Sequence, residues 1–276
     1  MLRLAVRVRR ADAEIVLAEL LGLAPSGVEE VDVGADVVEY AVYGAPGELP
    51  AVGAVSAVAG GALVEVLSSE VPDDWHERWR SFHKPLVLDG GRVVVRPPWE
   101  SPPAGAEIDL VIDPGQAFGT GAHATTRLCL ELMLELAGPG SGAFLDLGCG
   151  SGVLAIAAAR LGWAPVAAVD FDPLAVEAAS ANARVNAVSV DVRRHDLRTD
   201  PVLTAPFVAA NLLRPLLLRW AARLVGVSEF PERVIASGLL VGEADEIAGA
   251  FAAAGLREAD RRESGDWAAL LLARHR

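Results

Sequence analysis

The sequence predicts an α/β protein in two parts, a small α+β domain followed by a larger one built on a mostly parallel sheet. Three observations carry that expectation. The first seventy residues follow the order strand, helix, strand, strand, helix, strand. From Phe144 onward short apolar runs alternate with segments of helical period, the pattern of βα units covered on both faces of a sheet. A glycine-rich stretch, "LDLGCGSG" at 145–152, joins one of those runs to the helix that follows.

In the first domain "LRLAVRV" alternates as a strand, and "ADAEIVLAELLGL" has apolar residues at helical spacing with Gly22 near its end. "GVEEVDVGADVVEYAVYG" reads as two strands around a Gly-Ala-Asp turn. "APGELPAVGAVSAVAG" reads as a second helix, and "ALVEVLSSEV" as a fourth strand. This is the ferredoxin-like, or split βαβ, order, assigned to residues 1–72 and read as a recognition or oligomerisation module because no cluster in it suggests chemistry. Residues 73–85 form an expected linker helix. Trp75, Trp79 and Phe82 share one of its faces, better suited to pinning it to a neighbouring domain than to stacking a substrate.

Residues 86–276 form the second domain. "LVLDGGRVVVRPPW" predicts a hairpin around Asp89-Gly90-Gly91, and "AEIDLVID" a further strand. His123 to Ala137 can form a helix with Leu128, Leu132 and Leu136 on one side. Five strand runs then alternate with helices. "LREADRRESGDWAALLLAR" closes the sheet edge as an antiparallel hairpin around Ser264-Gly265-Asp266.

Composition excludes several function classes. The chain has 276 residues, 52% hydrophobic, with a formal net charge of −13. Residues 1–72 hold four arginines against eleven acidic residues, a balance of −7 that disfavours a nucleic-acid partner and fits either a face that steers a basic protein or a generally acidic, solvated surface. No apolar run reaches the ~18–20 residues of a membrane helix, and the N-terminus lacks a signal-peptide pattern. The two cysteines, Cys129 and Cys149, suit a reducing cytoplasm, and no metal-ligand spacing is present. The expected oligomeric state is a monomer.

The chemistry is read from the glycine stretch. Gly148, Gly150 and Gly152 permit a tight turn and close approach of backbone to a ligand. A dinucleotide fingerprint places its third glycine three residues after the second, where this chain has Val153. The observed D-x-G-x-G-x-G, starting at Asp146, favours S-adenosylmethionine (AdoMet), which has no pyrophosphate to seat. Asp170 ends the next strand, eighteen residues past Gly152, where a carboxylate can accept both ribose hydroxyls. Asp146 has the competing role of a turn cap, and Asp172 before Pro173 reads as a helix N-cap. Cys149 reads as a small loop residue in preference to a nucleophile. Asp196, after the third strand, is a candidate adenine contact. Asn211, ending the fourth strand, either orients the nucleophile or cofactor or caps the helix before Pro215.

Taken together, "DPGQAFGTGAHATTRLCLEL", "LDLGCGSGVLAIAA", "VDFDPLAVEAASANARVN", "AANLL" and "ASGLL" resemble the bacterial methyltransferases of ribosomal protein eleven of the large subunit. The resemblance is dense from about residue 72 to the end. It implies a class I, Rossmann-like fold with a seven-stranded sheet, and N-methylation of a basic ribosomal protein at lysine or N-terminal amines. It also implies AdoMet-binding positions at Thr126, Gly148, Asp170 and Asn211, with Gly150 in the same loop. Thr120, His123 and Thr125 would then shape the channel between methyl group and amine, His123 as an ordering hydrogen bond in preference to a general base. No catalytic residue is assigned. The rival glutamine-amide enzymes of release factors carry Asn-Pro-Pro-Tyr where this chain has "AANLLRPL". A protein-lysine methyltransferase with another substrate, and a non-catalytic scaffold of the same fold, stand as alternatives; a dehydrogenase is disfavoured by the glycine spacing.

Overall fold

The computed structural model describes residues 2–13, 16–17, 20, 28–34, 36–44, 49–70, 84–113, 123–138, 142–227 and 229–274. The chain divides into two compact units, Met1–Phe82 and His83–Arg276. The expected linker helix, with Trp75, Trp79 and Phe82, lies outside the described residues, as does Thr120.

The first unit is a four-stranded antiparallel sheet of β1 (Leu2–Arg9), β2 (Glu29–Gly34), β3 (Val37–Gly44) and β4 (Leu63–Glu70) in the order β2-β3-β1-β4. Period-2 alternation sends Leu4, Val6 and Val8 of β1 and Val38 and Tyr40 of β3 to one face. Helical residues Val16 and Leu20 pack there, with Val55 and Ala59 of helix α1 (Val52–Ala59). Glu39 on the opposite face is buried but held by Arg3 and by Arg7 Nε at 2.7 Å. Burial alone would raise its pKa, and the two arginines outweigh that and lower it. The strand order is the ferredoxin-like one.

The second unit holds two sheets. The smaller consists of β5 (Leu86–Leu88), β6 (Val93–Arg96) and β7 (Ile108–Val111). The expected hairpin forms between β5 and β6, while β7 joins β6 in parallel, with Arg96 clamping Asp109 across the pair at 2.7 Å. The larger is seven-stranded, from β8 (Phe144–Leu147), β9 (Val166–Asp170), β10 (Asp191–Arg194), β11 (Phe207–Asn211), β12 (Arg233–Leu240), β13 (Leu256–Ser264) and β14 (Trp267–Arg274). Its order is β10-β9-β8-β11-β12-β14-β13: the first five strands run parallel, and the final hairpin adds antiparallel through β14.

Alternate residues of these strands serve two separate cores. Phe144, Ala168, Phe207, Ala209 and Ile235 meet α2 (Ala124–Leu136), α3 (Val153–Arg160) and α4 (Pro173–Val185) on one face. Leu145, Leu147, Val169, Val208 and Val234 meet α5 (Arg214–Arg223) and α6 (Ala244–Ala254) on the other. This two-sided burial explains why the inner strands β8, β9, β11 and β12 are mostly apolar, while the edge strands β10 and β13 carry charged residues. Among the described residues no helix is long and apolar enough to cross a membrane.

Phe251 of α6 is fully buried, its ring edge-on to Trp220 of α5 with centroids 5.7 Å apart. Truncation leaves a cavity that the sheet behind it cannot fill by collapse. Phe251→Ala is expected to lower the unfolding free energy by about 3–5 kcal/mol in urea titration; a loss below about 1 kcal/mol would show that α6 repacks.

Candidate functional site

The strand order places a switch point between β8 and β11, whose following helices α3 and α5 lie on opposite faces of the sheet. In open α/β sheets the crevice beyond the carboxyl ends of such strands is where ligands bind.

The glycine turn is fastened to β9 by its own backbone. The N–H groups of Gly148 and Cys149 both donate to the Val169 carbonyl, at 2.8 and 3.0 Å. The Gly150 N–H donates to Asp170 Oδ2 at 3.0 Å, and Asp172 N–H donates to Asp170 Oδ1 at 3.0 Å. Two positions demand glycine. Gly148 has φ +71°, and a Cβ there would stand 2.3 Å from Leu212 Cδ2; Gly152 has φ +81°, and its Cβ would stand 2.9 Å from Ala179 Cβ of α4. The turn is thus a shallow cradle of bare backbone.

Two carboxylates lie under it. Asp170 is 8% exposed, and burial raises its pKa while the N–H groups of Asp172 and Gly150 pull it down. Asp146 is 1% exposed; its Oδ2 accepts the Ala155 N–H of α3 at 3.1 Å, and its Oδ1 has no partner among the described residues. Burial pushes its pKa up to about 7, with Asp170 adding to the rise. Asp146 therefore serves the first turn of a helix. Asp172 is the N-cap of α4, its side chain accepting the Leu174 N–H.

On the other side of β8, Ala210 of β11 pairs with Leu147, which sets Asn211 level with Gly148. Asn211 Nδ2 donates to Thr126 Oγ1 of α2 in a long hydrogen bond of 3.4 Å. Asn211 does not cap α5, whose N-cap is Leu213. Gly148, Gly150 and Asp170 thus form one group, and Thr126 and Asn211 a second, around the ends of three adjacent strands. His123 is the N-cap of α2: its Nδ1 lies 2.8 Å from Thr125 Oγ1, and burial lowers its pKa. Its ring meets Trp267 edge-on at 4.7 Å.

Two other candidates have structural duties. Burial first, then Asp146 and Asp170, push the Cys149 thiol far up, which keeps it protonated and unreactive. Asp196 is chelated by Arg198, with Nε–Oδ1 at 2.9 Å and Nη2–Oδ2 at 3.0 Å, and that pair draws its pKa down to about 2.

A family model described as ribosomal protein L11 methyltransferase (PrmA) matches residues 57–275. The chain belongs to this family. A ribosomal protein L11 methyltransferase of Pelotomaculum thermopropionicum is 44% identical over 202 residues, covering 72% of this chain and 65% of the relative. One from Symbiobacterium thermophilum is 38% identical over 200 residues, again covering 72% of this chain and 65% of the relative. The matched part thus spans about two thirds of those relatives. Among solved structures, a ribosomal protein L11 methylase of Lactobacillus delbrueckii subsp. bulgaricus superposes with a TM-score of 0.58 at 29% identity, covering 69% of this chain and 98% of that chain. The larger unit has the class I AdoMet-dependent methyltransferase fold.

Three further buried polar residues, Ser237, Asn182 and Asn186, have no role assigned by the sequence motifs. Ser237 is fully buried in β12, and its Oγ donates to the Ala268 carbonyl at 2.9 Å. Asn182 lies on α4, and Asn186, one helical turn later, is its C-cap. The legible signal was that spacing in "NARVN", two amides four residues apart on an otherwise alanine-rich helix.

Asp146 generates a pH prediction. Its folded-state pKa stands above its ordinary 3.8, so the folded chain holds the proton more tightly than the unfolded one. Its contribution to stability is fully present below about pH 4 and is lost as pH rises through about 7. Asp146→Asn removes that loss, so the variant's stability relative to the parent is expected to grow with pH across this window and level off above it. Denaturant unfolding of both chains at each pH measures the difference; a pH-independent difference would show that Asp146 stays ionised.

Proposed function

We propose that this chain transfers methyl groups from AdoMet to lysine or N-terminal amines of ribosomal protein L11, acting as a monomer in the cytoplasm without nucleic acid. The observation that carries the reading is the glycine cradle with Asp170 at its rim. Its fit to AdoMet rests on two features. The cradle is closed to any Cβ at Gly148 and Gly152, so backbone alone can face a ligand there. Each Asp170 oxygen accepts one backbone N–H and keeps a second lone pair for a hydroxyl.

In this reading Asp170 accepts the ribose hydroxyls, while Gly148 and Gly150 keep the turn low beneath the centre of the cofactor. Thr126 and Asn211, already bonded to each other, hold its methionine end. Bound AdoMet supplies an electrophilic sulfonium methyl, transferred by in-line displacement. The chain's own contribution is then alignment, which provides much of the acceleration in such reactions. Asn211 orients the incoming amine or the atoms beside it. His123 is engaged as a helix cap and orders the segment instead of acting as a base.

A lysine of ordinary pKa ~10.4 must lose a proton before attack, at about 4–5 kcal/mol at neutral pH, whereas an α-amine near pKa ~8 needs far less. Seating the amine in a poorly solvated channel beside a cation lowers that cost. The acidic balance of residues 1–72 fits a basic protein substrate.

Asp170→Ala removes a charged acceptor of two hydroxyls and is expected to weaken AdoMet binding at least 10- to 100-fold in calorimetry; unchanged affinity would contradict the site. For the activity, labelled AdoMet is incubated with total ribosomal protein from cells lacking this methylation, and products are mapped by mass spectrometry. Label on L11 amines is the expected outcome. Label on another protein would keep the chemistry and reject the substrate, and AdoMet binding without any label would favour a scaffold.

A further inference from the structure

Helix α4 brings two buried asparagines against the rest of the domain, 3% and 6% exposed for Asn182 and Asn186. Asn186 behaves as a neighbouring strand would toward Val111: its Oδ1 accepts the Val111 N–H at 2.8 Å, and its Nδ2 donates to the Val111 carbonyl at 2.7 Å. That Nδ2 also donates to the Asn182 carbonyl at 2.8 Å. Asn186 therefore joins the end of α4 to β7, and its side chain makes no hydrogen bond to the glycine turn among the described residues.

Asn182 reaches further. Its Oδ1 accepts the Asp113 N–H at 3.0 Å, and its Nδ2 donates to the Ser151 carbonyl at 2.9 Å. Ser151 lies between Gly150, whose N–H meets Asp170, and Gly152, which packs on Ala179 one turn before Asn182. Asp113 opens the 113–126 stretch, which ends in Thr126, the partner of Asn211. One buried amide thus ties the glycine turn to the backbone just past the end of β7. The chemistry selects asparagine. The two groups are of opposite polarity, so the side chain needs an acceptor and a donor on one short stem, and those partners fix which end is oxygen. Aspartate would set a second acceptor against the Ser151 carbonyl, and alanine would deprive the buried Ser151 carbonyl and the part-buried Asp113 N–H of this partner.

We propose that Asn182 is a positioning residue for AdoMet, holding the Ser151 peptide of the glycine turn in register with the end of β7. This rests on the reading of the site as an AdoMet site. Asn182 acts through the backbone and touches no reacting atom, so it governs cofactor affinity and leaves the transfer step almost unchanged.

The test compares full-length Asn182→Ala, Asn182→Asp and Asn186→Ala with the parent chain. AdoMet affinity is read by calorimetry, steady-state parameters on L11, and folding by circular dichroism and thermal melts. Loss of these two hydrogen bonds is expected to raise the Kd and KM for AdoMet about tenfold or more in Asn182→Ala, with kcat at saturating AdoMet changing less than threefold. Asn182→Asp is expected to weaken binding comparably, although it keeps the acceptor for Asp113. Asn186→Ala is expected to lose melting temperature to a similar degree with Kd within twofold of the parent. Equal losses of affinity in Asn182→Ala and Asn186→Ala, or unchanged affinity in Asn182→Ala, would overturn the proposal while leaving the AdoMet site intact. A parent chain that binds no AdoMet would overturn both. Should the Asn182 variants fail to fold, amide exchange in the parent decides. S-adenosylhomocysteine is expected to slow the Asp113 amide at least tenfold and leave the Val111 amide unchanged; an equal response at both would reject the role.

Discussion

The carboxyl edge of the large sheet depends on one hydrogen bond, from the Gly150 N–H to the carboxylate of Asp170. A nearly buried carboxylate is costly unless its oxygens are satisfied, and backbone N–H groups are the donors within reach. By accepting from Gly150 and Asp172 together, Asp170 joins the turn after β8 to the turn after β9. Three glycines of positive φ follow each other at alternate positions there, a conformation with large entropy to lose. The carbonyl of Val169 and the carboxylate of Asp170 hold that turn from one side, and α4 closes on it from the other.

The electrostatics of this edge have a direction. Asp146 and Asp170 are both buried and both raised in pKa by that burial; Asp170 adds to the rise at Asp146, and both add to the rise at Cys149. Among the described residues no cationic side chain lowers either acid. Such an arrangement costs stability when ionised, and a cationic ligand offsets that cost. A sulfonium with an adjacent ammonium meets the condition, whereas a pyrophosphate would be repelled. The missing pyrophosphate glycine at 153 and the two buried acids therefore favour the same ligand for independent reasons.

Small side chains let these parts approach. Ala175, Ala179 and Ala183 are the buried face of α4, and their size brings the helix close enough for Asn182 and Asn186 to reach backbone in two other elements. A larger apolar face would bury more area and hold the amides out of range. Packing density is exchanged here for polar register, an exchange that pays only where backbone geometry matters to a ligand.

Local pattern determined much of this protein. Period-2 runs in the first unit, short apolar runs in the second and helical spacing marked many of the described strands and helices, and the antiparallel hairpin of β13 and β14 was legible from Ser264-Gly265-Asp266 between two strand runs. Positive-φ glycines, the Asp172 cap before Pro173, and Asp170 at a strand end were legible because backbone preference and capping act over a few residues. Partners were not. The parallel pairing of β7 with β6, the helix duty of Asp146, the chelation of Asp196 by Arg198 and the capture of Asp113 by Asn182 came only from the tertiary structure. Asn211 meets Thr126 across 85 positions of sequence, and Asn182 meets Asp113 across 69. The sequence by itself determined which groups are polar and where each lies along its element. Which buried donor meets which acceptor was decided by packing, because hydrogen bonds at that separation form only after strands and helices have set the distances between them.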